Sequence, residues 1–207
     1  SAAAAFAYNT LMGNPFSLEE LLPFAAEGER AACGSAHYDN VSPAILGGIV
    51  LLHQNKPIRL PLPKGLHAVS FFPNIEVNTA SARSIVSRHV SLDIVSKQVS
   101  AMGAFVSGLY QEDYDLLRKA TKDFLVEPSR KILIPYFDEM KEATLAAGGI
   151  AFGISGSGPS VFALAESHAV AERILAELHK IYAGQGIETL SFIEDLANGK
   201  GCRIAQF

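Results

Sequence analysis

"IAFGISGSGPSVFALA", residues 150–165, sets two short apolar runs on either side of Gly156-Ser157-Gly158-Pro159. Each run has the length of a strand, and glycine with proline between them marks a turn, so the two are expected as adjacent strands. Around them, the amphipathic stretch 168–183 reads as a helix, and "IETLSFI" (187–193) and "CRIAQF" (202–207) read as strands. Residues 127–149 read as helical with an interruption at Pro135, residues 91–110 and 112–125 as helices, and "LHAVSFF" (66–72) as a strand. Thr79 is expected to cap a helix that runs to about Ser87. Helices mixed with short, partly adjacent strands predict an α+β sandwich rather than a doubly wound parallel sheet.

The first third reads differently. Residues 1–12 form an alanine-rich helix stopped by Gly13-Asn14-Pro15, and Ser17 with Glu20 has the form of a capping box opening a helix from about Leu18 to Cys33. A short helix at 38–46 and a strand, "GGIVLLH" (47–53), follow. "KPIRLPLPKG" (56–65) is expected as an edge strand or crossover and as the domain boundary, giving domains 1–62 and 63–207. No internal repeat or low-complexity tract interrupts them.

With 207 residues, 49% hydrophobic, the chain can bury a substantial core. A net charge of -4 and a pI near 5.9 provide no basic field for nucleic acid or an anionic membrane, so small polar metabolites are the expected partners. The apolar runs "SAAAAFAYNTLM" and "SPAILGGIVLL" fall short of the ~20 residues a spanning helix needs. Cys33 and Cys202 match no metal-ligand spacing or disulfide framework, which suits a reducing compartment, and a cytoplasmic location is expected. The opening run reads as a helix already under way, with an upstream part of the protein expected before it.

Leu18, Leu22, Ala25, Glu29 and Cys33 recur at helical spacing, so Glu29 shares a face with apolar residues. A carboxylate turned toward a core is costly unless it is paired, hydrogen-bonded or bound to metal. Two remedies stay open on the residues alone: an internal ion pair with an arginine, or Mg²⁺, which commonly takes one or two carboxylates together with substrate phosphates. Beyond a Gly-Ser break, "HYDN" (37–40) offers His37 and Asp39. Asp39 and Asn40 also suit helix capping, a role that does not require His37.

Arg83 in "NTASAR" (78–83) and Arg130 in "EPSR" (127–130) are each expected one turn into a helix. There a cation opposes the macrodipole, so neither is explained by helix stability, and a guanidinium fork suits a carboxylate or phosphate. "GISGSGPS" (153–160) lacks the Lys-Ser/Thr ending and following helix of a Walker-type loop. It is either a plain tight turn or a place where small residues let backbone approach a ligand.

Together and in this order, "AAEGERAACGSAHYDNVSPAILGG" (25–48), "NTASAR", "EPSR" and "GISGSGPS" resemble the homoserine kinase family of the GHMP small-molecule kinases, over residues 1–207. The His-x-Asp-Asn segment is the discriminating piece, because other GHMP kinases do not generally carry it; "GISGSGP" marks the broader group. The resemblance implies ATP-dependent phosphorylation of the L-homoserine hydroxyl to O-phospho-L-homoserine, on the route to threonine. It implies Glu29 as the catalytic Mg²⁺ ligand, with His37, Asp39, Thr79, Arg83 and Arg130 lining the homoserine pocket and Gly156 in the turn bordering it. ATP and Mg²⁺ are the implied cofactors, a cytoplasmic homodimer the implied assembly, and a ferredoxin-like C-terminal domain the implied fold. No dedicated base is assigned in the family, so positioning and charge neutralisation would supply most of the rate.

Family members carry a Gly-Leu-Gly-Ser-Ser phosphate loop that opens a helix, holding ATP by backbone N–H groups and the helix dipole. Residues 1–9 resemble the body of that helix, beyond the loop. Residues 1–62 are therefore expected to be the remainder of the nucleotide-binding domain, and the chain alone is expected to bind ATP poorly and not to turn over. The other readings are a GHMP kinase for another alcohol, such as a mevalonate-pathway or shikimate substrate, and a non-catalytic binding module of the same fold. Two guanidinium groups suit an amino-acid carboxylate and favour homoserine.

Overall fold

The computed structural model describes residues 1–76 and 84–205, with backbone alone at Ala32 and Cys33. Contacts divide the chain into two units, Ser1–Leu62 with Leu196–Phe207, and Pro63–Asp195. The sequence reading placed everything after residue 62 in one domain; the final segment packs instead with the first unit.

In that first unit, α1 (Ala2–Leu11) owes its helicity to alanine, the best intrinsic helix former. The capping box forms: Ser17 N donates to Glu20 Oε2 at 2.8 Å, and Glu20 N donates to Ser17 Oγ at 3.3 Å. It closes a turn rather than opening the helix. α2 begins only at Leu22 and runs to Cys33, with Pro23 in its first turn, where a missing N–H costs nothing. Gly34, at φ 78°, ends it in the left-handed conformation that favours glycine. α3 (Tyr38–Leu46) packs Val41, Ile45 and Leu46 onto Leu21, Leu22, Ala25 and Ala26 of the preceding segment.

Where a crossover was considered, the chain makes a hairpin, β1 (Val50–His53) against antiparallel β2 (Lys56–Arg59). Gln54 and Asn55 both have positive φ, 49° and 62°, as a two-residue type I′ turn requires. Of the expected last strand, 202–207, the described residues 202–205 lie outside any strand, and Cys202 N donates to Ile45 O at 3.2 Å.

The second unit is built on four antiparallel strands, β3 (His67–Pro73), β4 (Ala151–Ile154), β5 (Val161–Ala165) and β6 (Thr189–Asp195), in the order β4-β5-β3-β6. This is the strand order of a ferredoxin-like sheet. Helices α4 (Leu92–Gln111), α5 (Tyr114–Ala120), α6 (Glu127–Arg130) and α7 (Phe137–Ala146) connect β3 to β4. α8 (His168–Tyr182) connects β5 to β6. Alternation decides the buried face: Val69 and Phe71 are buried, while Ser70 and Phe72 are exposed. Val69, Phe71, Phe152 and Ala163 pack with Met140 of α7 and with Ile174 and Leu178 of α8. Each such buried large side chain contributes about 1.5–3 kcal/mol over its exposed state. Among the described residues, no helix is long and apolar enough to cross a membrane.

α5 stops at Ala120, short of the helix read for 112–125. The donors further on are taken by side chains: Phe124 N donates to Gln98 Oε1 at 2.8 Å, and the Asp123 carboxylate accepts from Leu125 N, Val126 N and Glu127 N at 2.8, 2.9 and 3.0 Å. Backbone donors held by a side chain are not available to continue a helix.

Candidate active site

Glu29 sits on α2 at the edge of its buried face. Leu22 and Ala25 on that face are 2% and 1% exposed, whereas Glu29 is half-buried and Leu18, outside the helix, is exposed. A Cβ on Gly28 would lie 2.7 Å from Ser1 Cβ, so glycine lets Ser1 approach closely. The Ser1 hydroxyl donates to Glu29 Oε1 at 2.7 Å. The neighbouring Arg30 pairs with Glu27 at 2.9 Å on the exposed side. Among the described residues, the ion pairs do not include Glu29. A half-buried carboxylate with one hydroxyl partner retains lone pairs for a cation, and fits Mg²⁺ as a single protein ligand beside substrate phosphates. Among the described residues, no three His, Cys, Asp or Glu side chains gather into a metal site of their own.

His37 is the N-cap residue of α3, at φ −110° and ψ 106°, and makes no side-chain capping bond. It is half-buried. Asp39 lies in the first turn, exposed, where a negative charge complements the helix dipole. The capping role considered for Asp39 and Asn40 belongs by position to His37.

In the second unit, the structure brings two expected site residues together. Arg130 Nη1 donates to Gly156 O at 3.0 Å. Gly156 has φ 61° and Gly158 φ 80°, Ser155 N donates to Ser160 O at 2.8 Å, and Gly158-Pro159 is cis. A Cβ on Gly156 would meet nothing within 4 Å, so its backbone faces open space and its need for glycine is conformational. A Cβ on Gly158 would lie 3.1 Å from Ile134 Cδ1, a second contact between this loop and the segment after Arg130.

Arg130 does not oppose a helix dipole, as its position in the sequence suggested. α6 has four residues and Arg130 is its last, at the end where a cation is favoured. Thr79 and Arg83, also expected at the site, lie outside the described residues.

Sequence reading missed the charged contacts made by the neighbours of Arg130. Besides the Asp123 carboxylate, Glu127 pairs with Lys141, their side chains 12% and 27% exposed. Lys131 Nζ donates to both carboxylate oxygens of Asp138, at 2.9 and 2.7 Å, which raises the Lys131 pKa above the ordinary lysine value. The available signal was opposite charge at helical spacing, Glu127 and Lys131 four apart and Asp138 and Lys141 three apart.

Residues 1–48 match the GHMP kinases N terminal domain, and residues 105–184 match the GHMP kinases C terminal. A homoserine kinase of Methanopyrus kandleri is 37% identical over 94% of this chain and 68% of its own length. The chain belongs to the homoserine kinase family of the GHMP kinases. Another member, from Chlorobium phaeobacteroides, is 47% identical over 84% of the chain. The crystal structure of homoserine kinase from Cytophaga hutchinsonii superposes with a TM-score of 0.91 at 39% identity, covering 96% of this chain and 64% of that one. The chain spans about half the length of several of these homoserine kinases, 55% for the Chlorobium protein.

Proposed function

We propose that the protein containing this chain is a homoserine kinase, transferring the γ-phosphoryl group of ATP to the side-chain hydroxyl of L-homoserine as a step toward threonine. The observation that carries this reading is the agreement with the Cytophaga hutchinsonii homoserine kinase, 39% identical with a TM-score of 0.91.

In this reading, Glu29 is the carboxylate that holds Mg²⁺. Once bound there, Mg²⁺ supplies neutralisation of the charge on the transferring phosphoryl group. Its homoserine-binding residues are His37, Asp39, Thr79, Arg83, Arg130 and Gly156. Arg130 and Arg83 serve its carboxylate, the anion for which a guanidinium fork is suited. The Gly156 carbonyl fixes the Arg130 guanidinium before substrate arrives, which lowers the entropy lost on binding. No side chain is assigned as a dedicated base; the rate derives from holding hydroxyl and phosphoryl group in line. Residues 1–62, with 196–207 packed against them, serve the nucleotide-binding domain and 63–195 the C-terminal domain, and the protein works as a cytoplasmic homodimer.

The test is a coupled assay on the full-length protein with ATP, Mg²⁺ and a panel of homoserine, mevalonate and shikimate. Homoserine is expected to give the highest kcat/KM. Preference for another alcohol, or no turnover of any, would overturn the reading.

A further inference from the structure

Arg130 lies between two charged residues that are both taken up by α7. Glu127, at the start of α6, pairs with Lys141, and Lys131, in the 3-10 turn Lys131–Leu133, pairs with Asp138. The two pairs run in opposite charge sense, acid to base and then base to acid. They therefore favour one register of the Glu127–Lys131 turn on α7, since sliding it would bring like charges together. The Glu127 pair is the more buried, and there water screens least. Asp123 gathers the backbone N–H groups on the entry side of the same turn. On the exit side, Ile134, 3% exposed, packs close to Gly158. From this frame the Arg130 side chain reaches Gly156 O.

We propose that Lys141 and Glu127, with Lys131 and Asp138, are positioning residues for substrate: this crossed ion-pair lock on α7 sets the Arg130 guanidinium for the carboxylate of the amino-acid substrate. The proposal rests on the reading of Arg130 as a homoserine-binding residue. None of the four touches substrate in it. They act through Arg130, so their loss raises the KM for homoserine and spares the KM for ATP and most of kcat.

The test uses the full-length protein. Lys141→Met is expected to raise the homoserine KM about tenfold while the ATP KM and kcat stay within about threefold. The double variant Glu127→Met/Lys141→Met is expected to raise the homoserine KM no further than Lys141→Met alone, the non-additivity of residues that act as one pair. An unchanged homoserine KM in Lys141→Met, or equal rises in the KM for both substrates, overturns the proposal. A wild-type protein that does not use homoserine overturns the functional reading instead. The lock is then read from the NMR resonance of the Arg130 Nε proton, displaced in Lys141→Met if the lock positions Arg130 and unmoved if it does not. Thermal unfolding of each variant shows whether a kinetic change reflects loss of folded protein.

Discussion

Arg130 Nη1 donates to the carbonyl oxygen of Gly156 at 3.0 Å, tying the turn at 127–133 to the glycine loop between β4 and β5. The bond uses one of five guanidinium N–H donors to fix the plane of the rest. Replacing Arg130 by leucine in the full-length enzyme removes a charge-assisted contact worth about 1.5–3 kcal/mol, so the homoserine KM is expected to rise roughly ten- to a hundredfold. Steady-state kinetics with homoserine and ATP varied separately measure it, and an unchanged homoserine KM would make Arg130 a purely structural residue.

Glu29→Gln preserves shape and an acceptor for the Ser1 hydroxyl but removes the charge. Turnover is expected to fall by ~10³ or more if this carboxylate holds the cation that neutralises the transferring phosphoryl group. Stability, followed by urea unfolding, should change by no more than about 0.5 kcal/mol, as for an edge position. Full activity in this variant would take Glu29 out of the metal role.

Tyr182 donates to Pro135 O at 2.7 Å and is 3% exposed; burial pushes its hydroxyl pKa from 10.0 up to about 12. The folded state thus holds the phenolic proton more tightly than the unfolded chain. The contribution is complete below pH 10 and is lost as pH rises toward 12. Tyr182→Phe is expected to flatten the fall in stability over that window, at a cost of about 1 kcal/mol near neutral pH for the lost hydrogen bond. Urea midpoints measured from pH 8 upward test both parts, and an identical alkaline fall in the variant would place the titration elsewhere.

A Cβ at Gly201 would lie 1.9 Å from Ile45 O and 2.4 Å from Ile45 C. Both are backbone atoms that cannot swing aside. Gly201→Ala is therefore expected to cost about 1–3 kcal/mol, the range for forced overpacking. Chemical denaturation should show it as a lower midpoint.

The hairpin turn offers a gain instead. Gln54 adopts a positive φ that its side chain disfavours, Asn55 one that asparagine tolerates and glycine tolerates better, and Asn-Gly is the favoured pair for this turn. Gln54→Asn with Asn55→Gly is expected to stabilise the hairpin by about 0.5–1 kcal/mol, seen as a raised melting temperature.

That hairpin also marks where the residues were hardest to read. Three prolines between 57 and 63 left edge strand and crossover both open; the edge strand forms, since in a two-stranded sheet both strands are edges and the missing N–H of Pro57 is tolerated. β4 and β5 were legible because two apolar runs flank a glycine-proline turn, and α8 because its apolar residues keep one helical face. The end of α5 was not legible, because it depends on which donors Asp123 captures. Glu29 was placed on the apolar face of its helix, but how far that face extends into the core depends on the packing of α1 beside it. Arg130 was singled out for opposing a dipole, an argument that its place at the end of a four-residue helix removes, while the contact with Gly156 comes from residues 26 positions apart. Such a pairing has no local signature.

Gly47 and Gly201 meet so closely that a Cβ on Gly47 would fall 2.6 Å from Gly201 N. Synthesis runs from the amino end at about 5–20 residues per second, and early segments ordinarily settle as they emerge. Here the carboxyl end of α3 must wait until Gly201, 154 positions beyond Gly47, has left the ribosome before that neighbour exists. A nascent chain stalled anywhere before Gly201 therefore carries an unfinished first unit, whatever the state of the four-stranded sheet translated in between.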